Sequence, residues 1–364
     1  MLTTGIVGLP NVGKSTLFNA LTSSEVNVSN YPFTTIDSNV GVVGVPDQRL
    51  EELSKVIKPD ETTPYFIQFT DIAGLMRGAS HGEGLGNQFL GNIREVDAIV
   101  QVLRCFQEAD VVHVLGDVDP ARDVDVVETE LLLADLELMD RLIEKRYRTW
   151  KTSPRQFASE EARFRSYREK LAAGTPLRTI ELDDNAQKEL KGLGLLTGKP
   201  VLYVANVSEG ESGAEEHPCV GRIRQSRLSF TPSVVVISAR LESELLQLEP
   251  DERLEFIEEL GLARSGLDRL IEEAYRLLNL ITFYTVANKK LRAWAIPEGT
   301  CAPEAAGKVH TDMERGFIRA EVVAFNDLDE AGSLAACRDR GTLRLEGKAY
   351  EVRDGDVVTV RFSV

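Results

Sequence analysis

Short apolar runs alternate with stretches of helical periodicity through most of the chain. Met1 to Val7 ends on Ile6 and Val7 and predicts a buried strand; Thr16 to Ser23 carries Leu17, Phe18 and Leu21 at helical spacing. Tyr65 to Thr70 alternates and is rich in β-formers, so it predicts a strand. Asn87 to Val96 predicts a helix, Asp97 to Arg104 an apolar strand, and Pro200 to Val207 and Ser233 to Ile237 two more strands. Two longer helices interrupt this series. Glu128 to Trp150 presents Leu131, Leu132, Leu138, Met139, Leu142, Ile143 and Trp150 on recurring faces, and Phe157 to Leu171 follows it. The pair predicts an antiparallel hairpin inserted before the strand at Pro200. Leu267 to Leu280 predicts a closing helix. From Ile281 the pattern turns to strands (Phe283–Val286, Leu291–Ile296, Phe317–Phe325, Val357–Val364) around one helix, Pro303 to Met313. Strands alternating with helices define an α/β fold, followed by a small mixed sheet.

Between the first strand and first helix lies Gly8-Leu9-Pro10-Asn11-Val12-Gly13-Lys14-Ser15-Thr16, a G-x-x-x-x-G-K-S sequence in the strand–loop–helix setting of a phosphate-binding loop. Its glycines let the backbone turn tightly and aim N–H groups at phosphates, and the helix N-terminus adds its dipole. Asn11, Val12, Gly13, Lys14, Ser15 and Thr16 are thus the nucleotide-binding candidates. Lys14 is expected at the β- and γ-phosphates, where it also serves catalysis, and Ser15 at Mg²⁺. Asn30 to Asp37 offers Thr34 and Thr35 where a switch segment meets Mg²⁺. The strand ending at Thr70 runs into Asp71-Ile72-Ala73-Gly74, a D-x-x-G that supplies Asp71 to the Mg²⁺ shell, directly or through water, and the Gly74 N–H to the γ-phosphate. Leu75 then stands where many proteins of this fold carry a water-orienting glutamine. An aliphatic side chain cannot orient water, so either hydrolysis is slow or another group does so. His113, or His81 in the glycine-rich Gly78–Gly86 stretch, has the chemistry for it.

The strand from Pro200 ends in Asn206-Val207-Ser208-Glu209. A guanine clamp ends such a strand in N-K-x-D, its Asp accepting from N1–H and the 2-amino group. Here Glu209 is one methylene longer and Val207 removes the lysine. Asn206 can serve adenine, accepting from the 6-amino group or donating to N7, so the segment points to ATP over GTP or to weak discrimination between them. Ser238-Ala239 at the end of the next strand offers a backbone N–H to the base.

The 364 residues carry a net charge of −16, which argues against a body that coats nucleic acid non-specifically. The hairpin differs: from Arg141 to Lys170 there are ten basic residues against four acidic ones, a local excess suited to a phosphate backbone. Four scattered cysteines without C-x-x-C read as reduced thiols of a cytoplasmic protein rather than a disulfide frame or zinc site. No run of apolar residues is long enough to span a membrane, and the N-terminus has no basic leader.

The set GLPNVGKST, YPFTTID, DIAGL, GASHGEGLGNQFL, NVSE and ISA, with RAWAIPEG, AAGKVHTD and the closing DGDVVTVRFSV, resembles the YchF family, the Obg-like ATPases, over nearly the whole chain. The resemblance implies a P-loop GTPase-type domain that prefers ATP, an inserted α-helical hairpin, a C-terminal β-grasp TGS domain and association with ribosomes or RNA. The corresponding boundaries are 1–127 and 198–280 for the nucleotide-binding domain, 128–197 for the hairpin and 281–364 for the TGS domain. It further implies Thr35 in switch I, Asp71 and Gly74 at the Mg²⁺/γ-phosphate site, Asn206 to Glu209 at the base, and His113 assisting hydrolysis. Thr34 departs from relatives that often carry cysteine there, so a redox role for that cysteine is absent. The expectation is a monomeric, Mg²⁺-dependent, ATP-hydrolysing switch, slow without an activating partner. The alternatives are a GTPase of the same fold and an RNA-binding adaptor with a structural nucleotide.

Overall fold

The structure, a computed structural model, describes residues 1–23, 39–73, 85–108, 113–212, 217–226 and 232–363. The first elements are β1 (Leu2–Val7), α1 (Lys14–Ser23), β2 (Val40–Gly44), α2 (Gln48–Ile57), β3 (Glu61–Thr63), β4 (Phe66–Asp71), α3 (Leu85–Glu95) and β5 (Ala98–Arg104). Next come α4 (Pro120–Thr152), α5 (Pro154–Ala172), α6 (Asp184–Leu193), β6 (Val201–Asn206), α7 (Pro218–Arg224), β7 (Val234–Ile237), α8 (Ala239–Leu245), α9 (Pro250–Glu259) and α10 (Gly266–Leu277). The chain closes with β8 (Leu280–Ala287), β9 (Lys290–Pro297), α11 (Ala302–Val309), α12 (Thr311–Arg315), β10 (Phe317–Ala324), α13 (Phe325–Ala331), α14 (Leu334–Arg340), β11 (Arg344–Glu346) and β12 (Asp356–Phe362). Two compact units form, Met1–Val43 with Gln68–Ala274, and Gly44–Ile67 with Tyr275–Val364.

The first unit is built on a six-stranded sheet in the order β2-β4-β1-β5-β6-β7. β1, β5, β6 and β7 run parallel. β5 and β6 are buried along their whole length, which is why they read as unbroken apolar runs rather than alternations. Parallel neighbours place the carboxyl ends of β1, β5, β6 and β7 at one edge of the sheet, where open α/β folds bind ligands.

α4 and α5 meet at Ser153 and pack along each other as an antiparallel hairpin. Trp150 stands edge-on to Phe164 at 5.6 Å and donates to Glu160 at 2.8 Å, while Asp140 reaches Arg168 further down. α4 begins at Pro120, ahead of the expected Glu128, because Asp119 caps the Arg122 N–H and proline is preorganised for the first helical turn. Two buried polar knots tie the hairpin base to the sheet domain. Asp135 accepts from the N–H groups of Leu196 (2.8 Å) and Thr197 (2.7 Å) and from the Thr197 hydroxyl. Glu128 pairs with Arg178 and accepts from Tyr203 at 3.2 Å.

In the second unit the strand order is β11-β10-β12-β8-β9-β3. β8 and β9 form a hairpin, β12 runs parallel to β8, and β10 lies antiparallel beyond it. α11 covers one face through Ala302, Ala305 and Ala306 against Phe283, Ile296 and Val358, which is a β-grasp arrangement. The expected helix from Pro303 to Met313 is split into α11 and α12 at His310, whose backbone is extended and whose ring accepts from the Asp312 N–H.

The compact units do not follow the expected spans 1–127 and 198–280: the second resumes at Tyr275 and also takes in a stretch of 1–127. Gly44–Ile67 belongs to the second unit. β3 pairs in parallel with β9, α2 packs Leu50 and Leu53 beside Tyr284 and Leu291, and Tyr284 donates to Asp47 at 2.5 Å. Two of the basic residues around the start of β9 face acids in or next to this added strand. Lys290 pairs with Glu61 at 2.6 Å, Lys289 lies 3.9 Å from Asp60, and Arg292 stacks over Trp294. Among the described residues no helix is long and apolar enough to cross a membrane.

Candidate functional site

The loop after β1 is pinned by its apolar residues, Leu9 and Val12, both buried. Its glycines are required by close approach. A Cβ on Gly8 would come within 2.9 Å of the Val102 carbonyl and the Val12 side chain. Gly13 has φ +90°, and a Cβ there would overlap the Asn206 amide nitrogen. The Gly13 carbonyl accepts the first α1 hydrogen bond, from Leu17 at 3.0 Å, so the helix N-terminus opens directly on the loop. Ser15 and Thr16 lie in that first turn, both exposed.

Asn206, at the end of β6, is the node of the site. Its side-chain nitrogen donates to the Val12 carbonyl at 2.8 Å, and its side-chain oxygen accepts from the Ala239 N–H at 3.0 Å. Its backbone carbonyl accepts from the Cys105 N–H at 2.8 Å. One buried residue therefore fastens the phosphate loop, the end of β5 and the Ser238-Ala239 loop to each other. Its expected contact with adenine has to compete with these two side-chain bonds, so its primary placement is as a positioning residue. Ser238 is buried and caps α8 through Leu241, and Val207 is buried with its N–H on the Ile237 carbonyl. Glu209 is half-exposed and pairs with Arg240 at 2.8 Å. Arg240 is a residue of this loop pair that the sequence motifs do not single out; the signal for it is a cation directly after Ser238-Ala239.

On the phosphate side, the Lys14 ammonium is ion-paired with the Asp71 carboxylate. Ile72 donates to the Ile6 carbonyl at 3.1 Å, which sets the D-x-x-G acid beside the start of the loop. Hydroxyl and carboxylate oxygens at Ser15 and Asp71 are the hard donors that Mg²⁺ selects. Thr34, Thr35, Gly74, Leu75 and His81 lie outside the described residues.

His113 is not part of this cluster of contacts. Its ring is buried, with Nε2 2.9 Å from the Asp123 carboxylate and Nδ1 accepting from the Leu115 N–H at 3.1 Å. Asp123 sits in the first turn of α4, and its burial pushes its carboxyl up despite the opposing pull of His113 and Arg122. Both ring nitrogens are occupied, so in this arrangement His113 anchors the 113–116 turn to α4 instead of presenting a nitrogen to water. His113→Ala is expected to lower folding stability by about 1–3 kcal/mol, the cost of leaving a buried polar partner unmet. Chemical denaturation measures this; an unchanged midpoint would show that the pair is not structural.

A largely parallel sheet with G-x-x-x-x-G-K-S after β1, an acid from D-x-x-G paired to its lysine, and base-side loops knotted to the phosphate loop define a P-loop nucleoside triphosphatase of the GTPase fold. The chain belongs to the YchF family. It is 48% identical to the ribosome-binding ATPase YchF of Bacillus subtilis over 367 residues, covering 100% of both chains. It is 45% identical to the protein of that name from Escherichia coli O157:H7, covering 99% of each. The solved structure of the Schizosaccharomyces pombe YchF GTPase matches with a TM-score of 0.88 at 36% identity, over 99% of this chain and 97% of that one. A family model described as 50S ribosome-binding GTPase matches residues 3–133, and YchF-GTPase_C, described as a protein of unknown function, matches residues 280–363.

Proposed function

We propose that this protein is a Mg²⁺-dependent, ATP-preferring hydrolase whose nucleotide state governs its association with the ribosome. The carrying observation is the Asn206 node, which holds the phosphate loop and the base-side loops as one hydrogen-bonded unit. Lys14 and Asp71 stand at its phosphate end. Bound Mg²⁺, held by Ser15 and Asp71 with Thr35 of switch I, would neutralise charge on the phosphates. The chain's own residues bind and orient: Asn11 to Thr16 offer N–H groups and the lysine charge, and the Gly74 N–H joins them at the γ-phosphate.

Adenine preference is supported at Glu209. Its carboxylate is bound to Arg240, and the flanking position is the buried, aliphatic Val207, so neither arm of a guanine clamp is free. Titration of the nucleotide-free protein with ATP and with GTP, both with Mg²⁺, tests this. An ATP preference of about tenfold, equivalent to 1.4 kcal/mol, is expected. Tighter GTP binding would reverse the assignment of the base loop.

The partner is proposed from the relatives' printed names and from the hairpin's charge. Five of the ten hairpin cations are paired within the hairpin domain: Arg141, Arg146, Arg163, Arg165 and Arg168. The excess is therefore concentrated at the tip, where Lys145, Arg148, Lys151 and Arg155 are exposed on both sides of the turn. This is the surface we assign to ribosomal RNA, with the C-terminal β-grasp unit as a TGS-type platform, in a monomeric cytoplasmic protein. Reversing these four charges is expected to weaken ribosome binding and flatten its salt dependence, each phosphate contact contributing a slope of about −0.9 or less. Binding unchanged at low salt would remove the tip from the interface.

A further inference from the structure

Where the chain leaves the hairpin and enters β6, residues 195–199 are gripped from two sides. On the hairpin side, Asp135 of α4 accepts from the Leu196 N–H at 2.8 Å and from the Thr197 N–H and hydroxyl at 2.7 Å each. The Thr197 carbonyl accepts from the Arg178 N–H at 2.9 Å. Leu196 and Thr197 are fully buried. On the sheet side, the Lys199 ammonium donates to the Arg94 carbonyl at 3.0 Å and to the Val96 carbonyl. These two carbonyls lie in and just beyond the last turn of α3, where no further turn satisfies them and a cation is favoured. Lys191 of α6 adds a grip on the next residue, reaching Asp97 at 2.8 Å, and Asp97 accepts from the Thr3 N–H at 3.1 Å. Five residues therefore fasten the end of α3 to α4.

Val96 also leads toward the nucleotide site. A Cβ on Gly5 of β1 would stand 2.6 Å from the Ile72 Cδ1 and 3.1 Å from the Val96 Cγ2. Ile72 and Val96, both buried, thus fill one space against β1, and the glycine is what admits them. Ile72 directly follows Asp71, the acid paired with Lys14. The packed series is continuous: Asp71 and Ile72, then Val96, Lys199, Thr197 and Asp135. Close-packed interiors transmit a displacement because they have little free volume to absorb it.

We propose that Lys199 couples the Asp71 end of the nucleotide site to the hairpin. A shift of Asp71 moves Ile72 against Val96, the Val96 carbonyl carries the Lys199 ammonium, and the ammonium carries the segment that holds Asp135. Lys199 touches no nucleotide and is a positioning residue. This reading rests on the nucleotide site assigned above and names the route by which its occupancy reaches the RNA-facing hairpin. A plain helix cap would account equally for the bonds to Arg94 and Val96, but it would leave the Asp135 side indifferent to nucleotide.

The test uses the full-length protein, nucleotide-free and saturated with a non-hydrolysable ATP analogue and Mg²⁺. The Leu196 and Thr197 amides, which donate to Asp135, are the reporters. Their hydrogen exchange, read by mass spectrometry on peptides across 193–199, is expected to slow by about fivefold or more on saturation, the low end of ordinary coupling between sites. Binding also slows exchange generally by stabilising the fold, so the reading is the comparison with Lys199→Met at equal saturation. That variant is expected to show only the general slowing, and Lys199→Arg, which keeps charge and donors, to recover the parental response. Should Lys199→Met not fold, the milder Lys199→Gln, neutral and shorter, takes its place. The ratio of ribosome affinities with the ATP analogue and with ADP is expected to fall toward one in the same neutral variant. An equal exchange response in parent and neutral variant overturns the proposal and leaves Lys199 as a helix cap. A parent whose exchange responds through Lys199 but whose ribosome affinity ignores nucleotide supports the coupling and fails the switch reading. A parent that does not bind the analogue fails the nucleotide reading, and the coupling falls with it.

Discussion

Gly13→Ala is expected to weaken nucleotide binding by about 30-fold or more while leaving a folded chain. Alanine is strained at φ +90°, and its methyl group would occupy the position of the Asn206 amide nitrogen. Asn206 would have to turn away and give up its bonds to the Val12 carbonyl and the Ala239 N–H. Each buried backbone group left unmet costs about 1–3 kcal/mol, so the loss for the two together is about 30-fold to more than a thousandfold. Asn206→Asp separates this positioning effect from bulk. It is nearly isosteric and keeps an acceptor for Ala239, but it turns an oxygen toward the Val12 carbonyl where a donor is needed. Its affinity for Mg-ATP is expected to fall about as far as that of Asn206→Ala. Near-normal binding by Asn206→Asp, measured by calorimetry, would mean that the node does not hold the loop.

How much of this was legible beforehand follows from the range of each interaction. The phosphate loop is a local sequence whose residue types are dictated by backbone geometry, so Gly8, Gly13 and Lys14 could be assigned roles from spacing alone. Asn206 was legible as a member of the base segment but not as a node, because its partners lie 194 residues before it and 33 after it. His113 read as a candidate for orienting water, yet its partner Asp123 is a charged residue buried in the first turn of α4, and sequence gives no sign of that burial. The Gly44–Ile67 excursion was hidden for a similar reason. β3 has only three residues, and its pairing with β9 spans more than two hundred positions. The hairpin's charge excess was visible as a count, but which cations are cancelled depends on contacts such as Arg163 with Glu189 of α6 and Arg168 with Asp140.

Lys14→Ala is expected to reduce hydrolysis by about 10²–10³, the usual loss on removing one preorganised charge or donor from a developing anion. The pairing of Lys14 with Asp71 adds a second, less obvious expectation. In the proposed Mg-nucleotide complex each member would have its own partner, the phosphates for the lysine and the cation for the carboxylate, so their mutual bond would be exchanged on binding. Asp71→Asn removes the competitor and leaves Lys14 free for phosphate. In the presence of a chelator this variant is expected to bind ATP more tightly than the parent, by up to about fivefold for an ion pair of ~1 kcal/mol. With Mg²⁺ the order reverses, because the neutral amide is a poorer ligand for a hard cation than the carboxylate it replaces. Adding Lys14→Ala to Asp71→Asn is expected to cancel the chelator effect, since no lysine is then left to release. Four binding curves, parent and Asp71→Asn with and without Mg²⁺, read this out. Weaker binding by Asp71→Asn under both conditions would show that Asp71 orients Lys14 rather than competing for it.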